Sequence, residues 1–475
     1  MKVLVVHYHL KPGGVTTVIR RQLSALSAQG IDAAVLAGEA SAGFGGELSV
    51  EPALAYDAPG SPDEPDPGRV RAIASAIRHE ADALGSDTVV HVHNPTIRKN
   101  SSMLAALAEL ASSRRPLVMH VHDLAEDWRP EVYSDQPYTD GAVWAAINRF
   151  DAAALAGAGA GSVRYLPNPV PCPPPLYRSG QEPERAAGPG LVIYPVRGIR
   201  RKNLGEAVLL SLFARPGGRV GVTLPPTSPR DVPYYELWRG AAVELAAPFS
   251  FGLGLERSLE EVYAEASAVL TTSVKEGFGL SFLEPASRGY ATLGRRLPRV
   301  VSDFEDEGLS FPALYDSIRV PSGLFDEAAF AARVGAVVES AALAYGIDSA
   351  GLADSVIKSI FGANSAVGAN SAAGADFGRL DETAQLEALR SLKARPSARR
   401  AIVVANPFLD GWDEAADRVA PPSRESLEPW SEAAYGARLV ELYRDALERR
   451  GGAAPGKDAL LRLYVRPEAF HGVGV

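Results

Sequence analysis

Two glutamates seven residues apart frame the segment Lys275-Glu276-Gly277-Phe278-Gly279-Leu280-Ser281-Phe282-Leu283-Glu284, directly after the apolar run AVLTTS at 268–273. Gly277 and Gly279 leave backbone N–H groups open at a helix start, where the partial positive charge suits a phosphate. At 1.5 Å of rise per residue the carboxylates fall roughly 8–12 Å apart, too far to share a proton but able to touch opposite ends of one extended ligand. A carboxylate also binds vicinal hydroxyls well. Pro285 would cost about 3 kcal/mol inside a helix unless it falls in the first turn, so the helix is expected to begin near Ser281. Upstream, the run LVIYPV (191–196) empties into Arg197-Gly-Ile-Arg-Arg-Lys202, four basic residues within six positions. At a strand exit, Arg197 and Lys202 read as a clamp for a diphosphate, fixed positive charge placed where a leaving group becomes negative.

Six of the eight histidines form three pairs spaced by two: His7/His9, His91/His93 and His120/His122. Each pair lies at or just past the end of an apolar run, and strand alternation puts both members on one face. In an open parallel sheet the C-terminal strand ends converge on the ligand crevice, so three runs deliver imidazoles to one place. Carboxylate or thiol co-ligands at metal spacing are missing, so no metal is expected there. Lys11-Pro12-Gly13-Gly14 joins the first run to a helix and lets a phosphate approach the backbone. Arg98 and Lys99 follow HVHNPTI, and Trp128-Arg129 follows HVHDLAED. With His9, Lys11, His93, Asn94 and Asp123 they make a candidate acceptor surface, and local cations in an acidic chain suggest an acceptor bearing a carboxylate or phosphate. Gly157-Ala-Gly-Ala-Gly161 imitates a dinucleotide fingerprint, but Ser162 stands where the third glycine belongs and the run precedes a strand, which removes most support for a nicotinamide oxidoreductase.

The elements that must carry these residues are short apolar runs alternating with amphipathic segments: VLVV (3–6), AAVLA (33–37), TVVHVH (88–93), PLVMHVH (116–122) and SVRYLP (162–167). That rhythm is βαβ, a parallel doubly wound sheet. Between the first two runs, Val15, Ile19, Leu23 and Leu26 keep helical spacing, with Thr16 or Thr17 as cap and Gly30 as stop. A proline-rich stretch after Pro167 disfavours helix and central strand, and a linker is expected over 176–190. The rhythm restarts with LVIYPV, RVGVTL (219–224), FSFGLG (249–254), AVLTTS and RVVSDF (299–304). The near-duplicate GANSAV/GANSAA within 363–373 is too small and polar to pack and reads as a surface loop. AIVVANPF (401–408) fits a late strand or a buried helix, and LEPWSEAAYGARLVELYRDAL (427–447) a long terminal helix through Ala434, Leu439, Leu442 and Leu447 with Trp430 and Tyr435 as anchors.

With 475 residues, 46% hydrophobic and 22% charged, the chain is long enough for two large domains with substantial cores. One cysteine, Cys172, allows no internal disulfide, and with no leader-like run at the start the cytoplasm is the expected compartment. A net charge of −9 and a pI near 5.5 oppose broad binding to nucleic acid. Without about 20 continuous apolar residues, no stable membrane insertion is expected.

Together these motifs resemble the retaining nucleotide-sugar glycosyltransferases of the GT-B fold, family 4. The E-x7-E element is matched by Glu276 and Glu284, the Arg-x4-Lys element by Arg197 and Lys202, and the glycine loop by Gly13-Gly14. The pre-linker signature is matched by Pro167-Asn168-Pro169-Val170 and the strand-end histidine by His122. The resemblance implies two doubly wound Rossmann-like α/β domains facing a central cleft. They comprise an acceptor-side domain over 1–175, a nucleotide-sugar-binding domain over 191–426, and a crossover helix over 427–450 packing back on the first domain. It implies that Arg197 and Lys202 neutralise the donor diphosphate and that Glu284 holds the ribose. Glu276 with the Gly277–Phe278–Gly279 backbone would hold the donor sugar, and His122 would contact it near the reacting carbon. It further implies hexose transfer from a UDP- or GDP-linked donor to a small acceptor, anionic or not, or a lipid-linked one, with retention by front-face attack and no metal or other cofactor. A sugar-nucleotide epimerase or hydrolase of the same fold and a non-catalytic nucleotide-sugar-binding protein are the rival readings. Two departures stand out: Pro285 replaces a common alanine, and Arg288 to Pro298 replaces a short turn into VVSDF.

Overall fold

The computed structural model describes residues 1–41, 44–113, 115–170, 190–362, 374–448 and 452–474. All but Gly190 of the linker expected over 176–190, Cys172 and the GANSA repeat fall outside these residues. The chain divides into two compact units, one of Met1–Pro171, Ala344–Gly346 and Glu428–Val465, the other of Cys172–Leu343, Ile347–Leu427 and Arg466–Val475.

The first unit is built on strands β1 (Lys2–His7), β2 (Ala33–Ala37), β3 (Leu48–Val50), β4 (Thr88–His93), β5 (Leu117–Val121), β6 (Ala142–Ala146) and β7 (Val163–Tyr165). They form one sheet in the order 3-2-1-4-5-6-7, and every pair is parallel. The strand sequences are apolar at consecutive positions because both faces are covered. Leu4, Val6, Val90, Val92 and Met119 pack on one side with Ile73 and Ile77 of helix Pro67–Leu84 and Leu107 of helix Met103–Ser112. Val3, Val5, Val35, Val89 and Val118 face the other way, onto Ile19 and Leu26 of helix Gly14–Ala28 and Tyr435, Leu439 and Leu442 of helix Glu432–Glu448. The terminal helix thus lies on the first unit's sheet, with Leu439, Leu442 and Tyr435 in the core as expected, Leu447 packed against it and Ala434 outside it.

The second unit repeats the plan with β8 (Leu191–Arg197), β9 (Arg219–Leu224), β10 (Phe249–Phe251), β11 (Ala266–Thr271), β12 (Thr292–Arg295) and β13 (Leu314–Tyr315), ordered 10-9-8-11-12-13 and parallel throughout. One predicted strand is wrong. RVVSDF lies in helix Pro298–Glu305, begun by Pro298 in its first turn and burying Val300, Val301 and Phe304 at helical spacing. The strand is instead TLGR, inside the segment that departs from the family pattern. There Gly294 has φ +122, and a Cβ on it would sit 1.9 Å from the Thr271 carbonyl oxygen, so only glycine lets β12 lie this close to β11. AIVVA ends helix Pro396–Ala405, with Ile402 buried and Val404 exposed. The threonine cap is also corrected: Gly13 is the N-cap, and Thr17 Oγ1 instead donates to the Gly13 carbonyl at 3.0 Å. Helix Glu327–Tyr345 is long and apolar enough, by length and composition, to cross a membrane; it buries Phe330, Val334 and Val338 along one side.

Candidate active site

Both sheets reverse their strand order once, between β1 and β4 and between β8 and β11, and ligands of doubly wound folds bind beyond the strand ends at such points. The chemistry-bearing motifs emerge at these two places.

In the second unit, β8 runs into the 3₁₀ turn Arg200–Lys202 and β11 into Ser273 to Gly277. Glu276 Oε2 accepts from Arg201 Nη1 at 2.6 Å, Glu276 Oε1 meets Lys202 Nζ, and Ser273 Oγ donates to Oε1 at 2.7 Å. Tyr194 Oη lies 2.7 Å from Ser273 Oγ and donates to the Lys202 carbonyl at 3.2 Å, tying the two loops together. Burial alone would raise the Glu276 carboxyl, but Lys202 and Arg201 outweigh it and hold the group down at about 2. Burial pulls the Lys202 ammonium down to about 8, against the attraction of Glu276. An ionised carboxylate and two cations are therefore concentrated at one sheet edge.

Of the basic loop, Arg201 and Lys202 contact Glu276, and Arg197 does not. Arg197 reaches the Pro225 carbonyl at 3.4 Å, whereas Arg201 joins Lys202 on Glu276. The 3₁₀ turn re-aims the side chains, which a residue count along the loop does not reveal. Helix Leu280–Ser287 starts one residue before the expected Ser281, behind Gly279 at φ +89, where a Cβ would fall 2.3 Å from Val300 Cγ1. Pro285 lies in its second turn, outside the first turn that would tolerate it freely. Phe278 is buried edge-on against Phe304 at 5.7 Å and anchors the loop. Glu284 is half-buried and 3.6 Å from Arg288 one turn on.

In the first unit, Gly13 is fully extended and a Cβ on Gly14 would meet open space. The fold does not demand glycine there, so the space above that turn is free for a ligand. The histidines do converge, but inside the protein. The β4–β5 register sets His93 beside His120, and alternation places His7, His91, His93, His120 and His122 on the face covered by helices Gly14–Ala28 and Glu432–Glu448. His91 and His93 stack at 4.6 Å, His91 Nε2 lies 3.0 Å from His120 Nδ1, and His93 Nδ1 lies 2.9 Å from His122 Nε2. Gln22 and Tyr443 complete the cluster: Gln22 Oε1 is 2.7 Å from His93 Nε2, and Tyr443 Oη is 2.8 Å from His91 Nδ1. Burial pulls His7 and His91 down to about 3 and His122 to about 4, with His93 and His120 also far down, so all five rings are neutral at pH 7. Ligand atoms of His91, His93 and His120 lie within 4.8 Å of one another, the spacing of a metal triad. Five of these six ring nitrogens are already hydrogen-bonded, and among the described residues no carboxylate or thiol joins them. A buried divalent ion would there lack any compensating charge.

Several expected acceptor contacts are corrected. His93 is fully buried, Trp128 is 3% exposed at a backbone φ of +52, and buried Asn94 accepts from the Asp123 amide at 3.0 Å. These three hold loops in place and do not line an open surface. Arg98 pairs with Asp63, Lys11 with Glu39, and Arg129 with Asp123 at 3.5 Å, so each cation already has a carboxylate. Lys99 Nζ sits over the Tyr56 ring at 5.8 Å, and His9 meets the same ring edge-on at 4.9 Å. Sequence reasoning missed Arg201 as the partner of Glu276, and missed Tyr194, Ser273, Gln22 and Tyr443. Gln22 and Tyr443 carried a signal, since each is a polar group within its helix's buried stripe.

A glycosyl transferase 4-like domain matches residues 13–169. Mannosylglucosyl-3-phosphoglycerate synthase from Petrotoga mobilis is 26% identical over 343 residues, which span 63% of this chain and 66% of that protein. A glycosyltransferase from Rickettsia africae superimposes with a TM-score of 0.51 at 10% identity, covering 94% of this chain and 99% of its own. Sucrose-phosphate synthase from Thermosynechococcus elongatus does so with 0.50 at 15%, covering 94% and 99%. The two parallel Rossmann-like units and these likenesses give the chain the GT-B fold, and residues 13–169 of its first unit are similar to a glycosyl transferase 4-like domain.

Proposed function

We propose that this glycosyltransferase moves a hexose from a UDP- or GDP-linked sugar to a small, anionic acceptor with retention of configuration. The observation that carries the reading is the Arg201–Lys202–Glu276 constellation at the β8/β11 switch point. The donor diphosphate takes charge-assisted hydrogen bonds from Lys202, Arg201 and Arg197 and from the amides opening helix Leu280–Ser287. Those cations stabilise the negative charge that grows as the sugar C–O bond breaks. Glu276 keeps Lys202 charged and offers carboxylate oxygens to sugar hydroxyls, while Glu284 takes the ribose and His122 meets the sugar. The acceptor oxygen bonds to the anomeric carbon on the departing side, and its proton passes to the leaving phosphate oxygen. Charge stabilisation comes from these side chains, and no metal is called on.

The Petrotoga relative is named for a 3-phosphoglycerate product, which supports an acceptor bearing phosphate and carboxylate. Such an acceptor would displace Asp63 from Arg98 or Asp123 from Arg129. We place the reaction in the cytoplasm, without insertion into a membrane. The experiment is incubation with UDP- and GDP-hexoses, with and without a phosphorylated sugar acid. Acceptor-dependent release of the nucleoside diphosphate and a product of unchanged anomeric configuration by NMR are expected. Release without acceptor would make the chain a hydrolase, and an inverted product would overturn the mechanism.

A further inference from the structure

The hydrogen bonds through the buried histidines have a direction. Gln22 Oε1 can only accept, so the hydrogen in its 2.7 Å contact is carried by His93 Nε2. A neutral imidazole has a single N–H, which leaves His93 Nδ1 with a lone pair. The 2.9 Å contact between that atom and His122 Nε2 is then donated by His122. His122, the last of the series and just past β5, is left with an unprotonated Nδ1 that makes no hydrogen bond among the described residues. At its other end Gln22 Nε2 donates to Tyr443 Oη at 2.7 Å and lies 3.0 Å from His91 Nδ1. Turning this amide over would reverse the series and put the hydrogen on His122 Nδ1.

We infer that Gln22 and His93 are positioning residues that hold His122 as its Nε2–H tautomer and present Nδ1 as a hydrogen-bond acceptor to a substrate hydroxyl. The inference rests on the reading above that His122 meets the sugar. Orientation of one imidazole by another, with a helix-borne amide setting the polarity, gives the ring a single rotamer and a single protonation state.

Long-range ¹H–¹⁵N correlation spectra of the whole protein at pH 7 test it, with His122 assigned by the signal lost in His122→Gln. The wild type is expected to show an unprotonated Nδ1 and a protonated Nε2. Gln22→Leu and His93→Leu should give a mixture of tautomers and a kcat lower by roughly tenfold, with donor KM within about twofold. His93→Asn, whose Oδ1 accepts where Nδ1 did, should recover most of the kcat, which a merely space-filling role would not. A wild-type spectrum with the hydrogen on Nδ1, or folded leucine variants with unchanged kcat, would overturn the inference. The wild-type spectrum needs no turnover, and its assignment needs only a folded His122→Gln. Its failure beside normal sugar transfer condemns the relay alone, and its success in a protein that transfers no sugar condemns the functional reading alone.

Discussion

The Lys202 ammonium sets a ceiling on the pH at which the proposed donor site carries its charge. Burial brings that group to about 8, so kcat/KM for the donor should fall as pH rises through about 8. Lys202→Arg should carry the fall beyond pH 10, and Lys202→Met should cost about 10²-fold in kcat at pH 7. A flat wild-type profile up to pH 9.5 would remove Lys202 from the chemistry. Glu276 acts at the other end of the scale. Its folded carboxyl is depressed from 4.5 to about 2, so its contribution to stability is present above 4.5 and lost as pH falls toward 2. Urea unfolding between pH 5 and 2.5 should show a smaller loss of stability in Glu276→Gln than in wild type, and equal losses would show that the carboxylate is not held this way. At this scale the sequence named the right loops but not every right residue. Nothing in the spacing of Arg197, Arg200, Arg201 and Lys202 tells which guanidinium turns toward Glu276, because a 3₁₀ turn decides it.

Among elements, two glycines separate what the fold needs from what a ligand needs. Gly279→Ala should lower Tm by several degrees, since a Cβ there meets Val300 at 2.3 Å on a left-handed backbone. Gly14→Ala should leave Tm unchanged, the space being open, and weaken binding of the substrate that uses it. Equal thermal effects from the two would contradict this division. Most strands were legible because parallel strands buried on both faces are continuous apolar runs, as VLVV and TVVHVH are. RVVSDF was misread on the same rule, because a short apolar run does not distinguish strand from helix and Pro298 supplied a helix start. β12 was invisible because its packing depends on Gly294, a residue that ordinarily argues against a strand. The histidine pairs were legible as one face, but not as a buried face. Only the covering helices Gly14–Ala28 and Glu432–Glu448 close it.

Over the whole molecule, long-range ties decide whether each unit stands. In the second, Arg295 is buried between Glu206 and Asp376, with bonds of 2.6–2.8 Å to both, and Tyr315 Oη lies 2.7 Å from Glu206. Arg295→Met strands two buried carboxylates and should destabilise the protein by about 3–5 kcal/mol, read by urea unfolding. A change below about 1 kcal/mol would mean the triad is solvated. The first unit takes residues 428–465 from the far end of the chain, a dependence its own contiguous sequence does not announce. The Arg201–Lys202–Glu276 site is proposed to take a sugar-linked nucleoside diphosphate. Thermal unfolding with UDP, GDP, ADP and their hexose conjugates tests it most directly. A ligand at 100 times its Kd adds about 2.7 kcal/mol, so one base and its sugar conjugate should raise Tm by several degrees in wild type and by much less in Lys202→Met. No shift with any nucleotide, or an equal shift in both proteins, would contradict the claim.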